Sequence, residues 1–129
     1  MFESITQDYQ AKCYLPLNKQ KGNKRHYNYL NCIVNILTEM SLKEPFDDRP
    51  GKFIIITDVS NNLIMTLSRW IDGAYPSTFN PTAFWEIKEY YGTTTFGSRV
   101  ADGVYESQLD GYEINIAEKA SKRKILHYL

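Results

Sequence analysis

Phe84-Trp85-Glu86-Ile87-Lys88 is the stretch on which the reading of this chain turns. At a two-residue period, Phe84, Glu86 and Lys88 point to one face of a strand and Trp85 and Ile87 to the other. A carboxylate and an ammonium then stand side by side on a ribbon otherwise made for burial. Buried charge is costly unless it is paired. Either the two groups pair with each other, or they serve a ligand such as a metal and a phosphate.

Upstream, Asp72 lies in Ile71-Asp72-Gly73-Ala74, and Pro76, Ser77, Asn80 and Pro81 mark a turn between it and the strand. The hairpin so implied has one arm at 73–77 and the other at 83–91. Counting back from the turn brings Asp72 near Glu86, in a register that sequence alone leaves open. Two carboxylates and a lysine then converge. A hard divalent cation takes oxygen ligands, often one or two carboxylates completed by water and substrate phosphate. Such a centre stabilises phosphoryl-oxygen charge and acidifies a bound water, and a lysine ammonium beside it orients that water or offsets developing charge.

Working outward, Phe53 to Thr57 is a continuous apolar, β-branched run and reads as a buried strand. A turn follows at 58–62, and the segment 63–75 reads as extended by its end, where Gly73 and Pro76 discourage a helix. A first helix is expected from about Tyr27 to Met40, with Leu30, Ile33, Val34 and Leu37 as its apolar stripe. A second is expected from about Ser98 to Lys119. Its stripe is Ala101, Val104, Tyr105, Leu109 and Tyr112, with Asp102, Glu106, Asp110 and Glu113 mostly off it; Gly103 and Gly111 argue against an unbroken helix. A last strand is expected at Ile125–Leu129. Residues 1–25, which end in the basic cluster Lys19, Lys21, Lys24 and Arg25, read as a loosely packed basic N-terminal arm. The order is that of an α/β domain with a mixed sheet flanked by helices.

The chain has 129 residues, 43% hydrophobic and 14% aromatic, with 15 basic and 15 acidic side chains. This is one folded domain with a modest core. Zero net charge gives no global basic field for coating nucleic acid, but leaves an acidic, metal-dependent nuclease site untouched. Cys13 and Cys32 are too few for a disulfide framework or a zinc site, and His26 and His127 stand at no metal-ligand spacing. No secretory leader and no transmembrane-length apolar run is present, so the expected compartment is the cytoplasm, with no membrane partner.

An acidic residue at one strand end, followed by Glu-x-Lys on the next, resembles the PD-(D/E)XK phosphodiesterase superfamily. The run from Arg69 to Ala74, continued through Trp85 to Tyr91 and Thr93 to Arg99, is similar to a bacterial group of type II restriction endonuclease-like proteins. The likeness covers roughly residues 50–129. It implies a restriction-endonuclease-like fold over 26–129 and a Mg2+ (or Mn2+) dependent endonuclease acting on double-stranded DNA in restriction or defence, with a homodimer among its assemblies. Asp72 and Glu86 would be the metal ligands and Lys88 the catalytic lysine. Apart from the resemblance, Thr95, Ser98 and Arg99, near the start of the second helix, read either as phosphate contacts or as plain N-capping residues. Two departures stand out. Ile71 replaces the proline of the motif, and an additional acid of the first helix has only Glu39 or Glu44 to fill its place. The chain also stops at Leu129 in mid-apolar run, which reads as truncation. The competing expectation is therefore a catalytically silent DNA- or protein-binding remnant of the same fold. A glycosidase built on Asp72 and Glu86 ranks last, because Lys88 opposes the raised pKa its acid needs.

Overall fold

The computed structural model describes residues 2–49, 51–88 and 96–129. The apolar run Phe53–Thr57 forms strand β1, which pairs antiparallel with β2, Leu63–Trp70. The turn between them is held by Asp58, whose Oδ1 accepts the backbone N–H groups of Ser60 (2.8 Å) and Asn62 (2.9 Å). That is the local hydrogen bonding for which Asp is favoured in turns. The chain leaves β2 through Ile71 and Asp72 and enters β3, Gly73–Tyr75. After the turn it returns as β4, Ala83–Trp85, antiparallel to β3. The final strand β5, Leu126–Tyr128, lies parallel to β4 on its other side.

The class is mixed α/β, as expected, but among the described residues the strands form two small sheets rather than one. β1 and β2 make a two-stranded ribbon, and the order β3-β4-β5 makes a mixed three-stranded sheet. An isolated parallel bridge from Ile55 to Phe79 ties the two together. Of the arm expected at 83–91, residues 89–91 lie outside the described residues, and over the rest the strand is shorter than its residue pattern suggested. Regular pairing ends at Trp85, with one more ladder bond from the Glu86 N–H to Tyr128 O (3.1 Å).

Helix α2, Tyr29–Leu42, stands where the first helix was expected, but its buried face is turned. Asn31, Cys32, Asn35 and Ile36 are buried, while Leu30 and Leu37 are exposed. The cause lies in residues 9–28, which overlap the 1–25 segment expected as a loose arm and are tied along this helix. Asn35 Nδ2 donates to Tyr14 O (2.8 Å) and Asp48 O (3.2 Å), and the Lys12 N–H donates to Glu39. Covering loop backbone brings carbonyls that need donors when buried, and asparagine supplies them. A short helix, α1 (Phe2–Asp8), precedes this segment, and the Phe2 ring lies 5.3 Å from those of Tyr27 and Tyr29. Lys19, Lys21, Lys24 and Arg25 are all exposed around a 3-10 turn at Gly22–Lys24, where Gly22 takes φ +61°.

Helix α3, Phe96–Ser121, is unbroken through both glycines. Its buried face is the reverse of the expected one. Val104, Tyr105, Leu109 and Tyr112 are exposed, and Asp110, Ile114, Ala117 and Ser121 are buried. The apolar pattern misled here because an ion pair decides the face: Arg69 of β2 meets Asp110, and small residues let the helix lie close on the strands. Ile54, Ile56, Leu67, Ile71, Ala74, Phe84, Ile114, Ala117 and Ile125 form the core between α3 and both sheets. Among the described residues, no helix is long and apolar enough to cross a membrane.

Candidate active site

The register of β3 and β4 sets the geometry. Gly73 pairs with Trp85, which puts Asp72 opposite Glu86, and the Asp72 N–H donates to Trp85 O (3.2 Å). Gly73 leaves room for the Trp85 ring, since a Cβ there would stand 2.3 Å from the indole. The Asp72 carboxylate is held on both oxygens. The Ile87 N–H donates to Oδ2 (2.7 Å), and Asn31 Nδ2 of α2 donates to Oδ1 (3.2 Å). Burial nonetheless pushes Asp72 above the usual carboxylate range, against the pull of those hydrogen bonds and of Lys88 and Arg69.

Glu86 and Lys88 share a face, as alternation requires. Lys88 Nζ donates to Glu86 Oε1 at 2.7 Å and to Glu106 Oε2 of α3 at 2.5 Å. Burial raises the Glu86 carboxyl; the Lys88 hydrogen bond lowers it, and the neighbouring Asp72 charge raises it again, for a net rise. Burial alone would depress Lys88, but the hydrogen bonds to Glu106 and Glu86 outweigh it and hold the ammonium above its ordinary pKa. Glu106 is lowered, chiefly by the Lys88 hydrogen bond.

Arg69 is turned inward against the acids of the cluster. Its Nε and Nη2 grip the two oxygens of Asp110 (3.1 and 2.5 Å), and Nη1 reaches Glu106 Oε2 at 2.9 Å and Glu86 Oε1 at 3.7 Å. Asp110 is fully buried. His127 of β5 stacks on Phe84 with ring centroids 4.4 Å apart, and its Nε2 lies 4.0 Å from Asp110 Oδ2. Burial lowers the His127 pKa, more than Asp110 restores it.

The sequence reading therefore brings Asp72, Glu86 and Lys88 together and misses Arg69, Glu106, Asp110 and Asn31 as their partners. The signal for two of these was available: Glu106 and Asp110 stand four apart, on one helical face. Neither acid proposed for the first helix is at the site. Glu39 accepts the Lys12 N–H, and Glu44 accepts the Tyr75 hydroxyl at 2.5 Å. The first helix meets the site through Asn31 instead. Thr95 lies outside the described residues, as do the side chains of Ser98 and Arg99.

Four carboxylates here face two permanent cations, Arg69 and Lys88. Among the described residues, no group of three or more His, Cys, Asp or Glu is set to hold a metal ion. A hard cation that keeps its waters needs only one or two carboxylates, and Asp72 and Glu86, opposed across the β3–β4 pair, offer that donor set. On the opposite side of the strand, Trp85 and Ile87 line a groove of about 560 Å³ with Val34 and Leu37 of α2 and Tyr128 of β5.

The chain belongs to the family described as a domain of unknown function, DUF7687. The match runs over residues 1–129. Membership thus assigns no activity, and the site must be argued from its own chemistry. No curated protein and no solved structure matches the chain.

Proposed function

We propose that this domain is a metal-dependent phosphodiesterase of the PD-(D/E)XK type, an endonuclease acting on double-stranded DNA with Mg2+ or Mn2+. The observation that carries the reading is the pairing of Asp72 opposite Glu86, with Lys88 hydrogen-bonded to Glu86 from the same face. Asp72 and Glu86 would hold the cation, which when bound supplies Lewis acidity at a phosphoryl oxygen. Asn31 and the Ile87 N–H fix the Asp72 carboxylate so that its oxygens need no reordering. Lys88, kept charged by its carboxylate partners, is a donor for the attacking water or for developing negative charge. The restriction-endonuclease-like fold and a homodimer are parts of the same proposal.

The experiment is cleavage of supercoiled plasmid in Mg2+ by the parent and by Asp72→Ala and Lys88→Ala. The parent is expected to nick and linearise the plasmid, and each variant to lose on the order of 10²–10³ in rate or more. Equal cutting by all three sinks the assignment.

A second reading, a catalytically silent DNA- or protein-binding domain of the same fold, is favoured by one observation. Every carboxylate of the cluster already has a partner within the chain. On that reading the parent binds duplex DNA or a protein and leaves plasmid intact in Mg2+ and Mn2+ alike.

A further inference from the structure

Glu106 differs from the other acids of the cluster in two ways. Its side chain is 41% exposed, against 11% for Glu86 and none for Asp110. Its oxygen Oε2 also takes both cations at hydrogen-bond distance, Arg69 Nη1 at 2.9 Å and Lys88 Nζ at 2.5 Å, whereas Glu86 Oε1 has Lys88 at 2.7 Å and Arg69 only at 3.7 Å. Each cation is anchored from behind by a more buried acid, Arg69 by both oxygens of Asp110 and Lys88 by Glu86. The two therefore stay in position whether or not Glu106 is there. One anionic oxygen between a guanidinium N–H and an ammonium is the arrangement in which such donors take a phosphoryl oxygen.

We propose that Arg69 and Lys88 form a preorganised site for a phosphoryl oxygen, and that the Glu106 carboxylate is an internal place-holder which the incoming phosphate displaces. Glu106 lies on α3 with a flexible stem and solvent beside it, so it can turn outward without disturbing the core. Removing Arg69 from Asp110, by contrast, would strand a fully buried carboxylate. The place-holder keeps two neighbouring cations from repelling each other in the empty site, and weakens binding of any anion that does not compensate for its loss. This deepens the nuclease reading and rests on it for the phosphate being that of DNA; the anion site itself does not depend on cleavage.

The test is titration calorimetry in EDTA at low salt, with inorganic phosphate in one arm and a short duplex in the other. The proteins are the parent, Glu106→Gln, Glu106→Ala and Asp102→Asn, the last an exposed acid one turn away on the same helix. Removing the competing carboxylate is expected to tighten phosphate about tenfold, the scale of one charge-assisted hydrogen bond. Asp102→Asn should leave it unchanged. If Glu106→Gln binds phosphate no more tightly than the parent, the inference is overturned. It is equally overturned if Asp102→Asn tightens as much, since the effect is then one of net charge. Should phosphate tighten while the duplex does not, the anion site stands with a free phosphate or monoester as its ligand, and it is the DNA reading that fails. Glu106→Gln keeps the shape of the side chain and so serves if the alanine variant does not fold.

Discussion

Asp110→Ala is expected to lower the unfolding free energy by about 3 kcal/mol, the scale on which removal of one member of a buried ion pair acts. Asp110 is fully buried and carries the bidentate grip on Arg69. Its loss leaves the Arg69 guanidinium, itself only 19% exposed, with Glu106 and Glu86 alone, neither in bidentate geometry. The reverse deletion, Arg69→Met, leaves an unpaired carboxylate in the same place and should cost a similar amount. The two should not add. The double variant removes the pair together and should be more stable than the sum of the single losses implies, because no lone charge is left behind. Urea unfolding of the four proteins measures this cycle. A loss under about 1 kcal/mol for Asp110→Ala would mean that α3 is held to β2 by apolar packing alone.

Asp72→Asn should do the opposite to stability while abolishing activity. Burial raises the Asp72 pKa, so the folded state holds this proton more tightly than the unfolded chain does. With a folded pKa above the unfolded one, the group contributes stability that is fully present below the unfolded value of about 3.8 and is lost as pH rises through the folded value. Above that window the parent bears the cost of a buried charge. The amide substitution removes the charge and keeps an acceptor for the Ile87 N–H. Its new N–H groups can meet Asn31 Oδ1, a buried acceptor with no partner among the described residues. The variant is therefore expected to unfold at higher urea than the parent at pH 7, with the advantage shrinking as pH falls toward 3.8. Phosphodiester cleavage should drop by on the order of 10²–10³ or more. A variant less stable than the parent at neutral pH would mean that Asp72 is there to hold the fold.

These effects also show where the sequence was legible. The Asp72–Glu86–Lys88 set could be read because it depends on strand alternation and one hairpin, both local. β1 and the turn at Asp58 were legible for the same reason. The two helices were found, but their inward faces were not. On α2, the backbone carbonyls of Tyr14 and Asp48 select Asn35 as a buried residue, and the Asp72 carboxylate selects Asn31. On α3, Arg69, forty-one residues away in sequence, draws Asp110 inward and leaves Tyr105 and Tyr112 in solvent. Hydrophobic periodicity carries no record of such long-range polar pairings, so a rule that buries the apolar face chose the wrong side in both cases. The strand was also cut short at Trp85, because β5 ends beside it and gives Ile87 and Lys88 no ladder partner.

If Asp72 and Glu86 form a cation-holding centre, Mn2+ titration of 15N-labelled protein will show it. Mn2+ broadens resonances close to where it binds. Saturable broadening is expected at the Ile87 amide and the Asn31 side-chain NH2, the two groups bonded to Asp72, and is expected to be lost in Asp72→Asn. Broadening that is absent in the parent, or that persists unchanged in the variant, contradicts it.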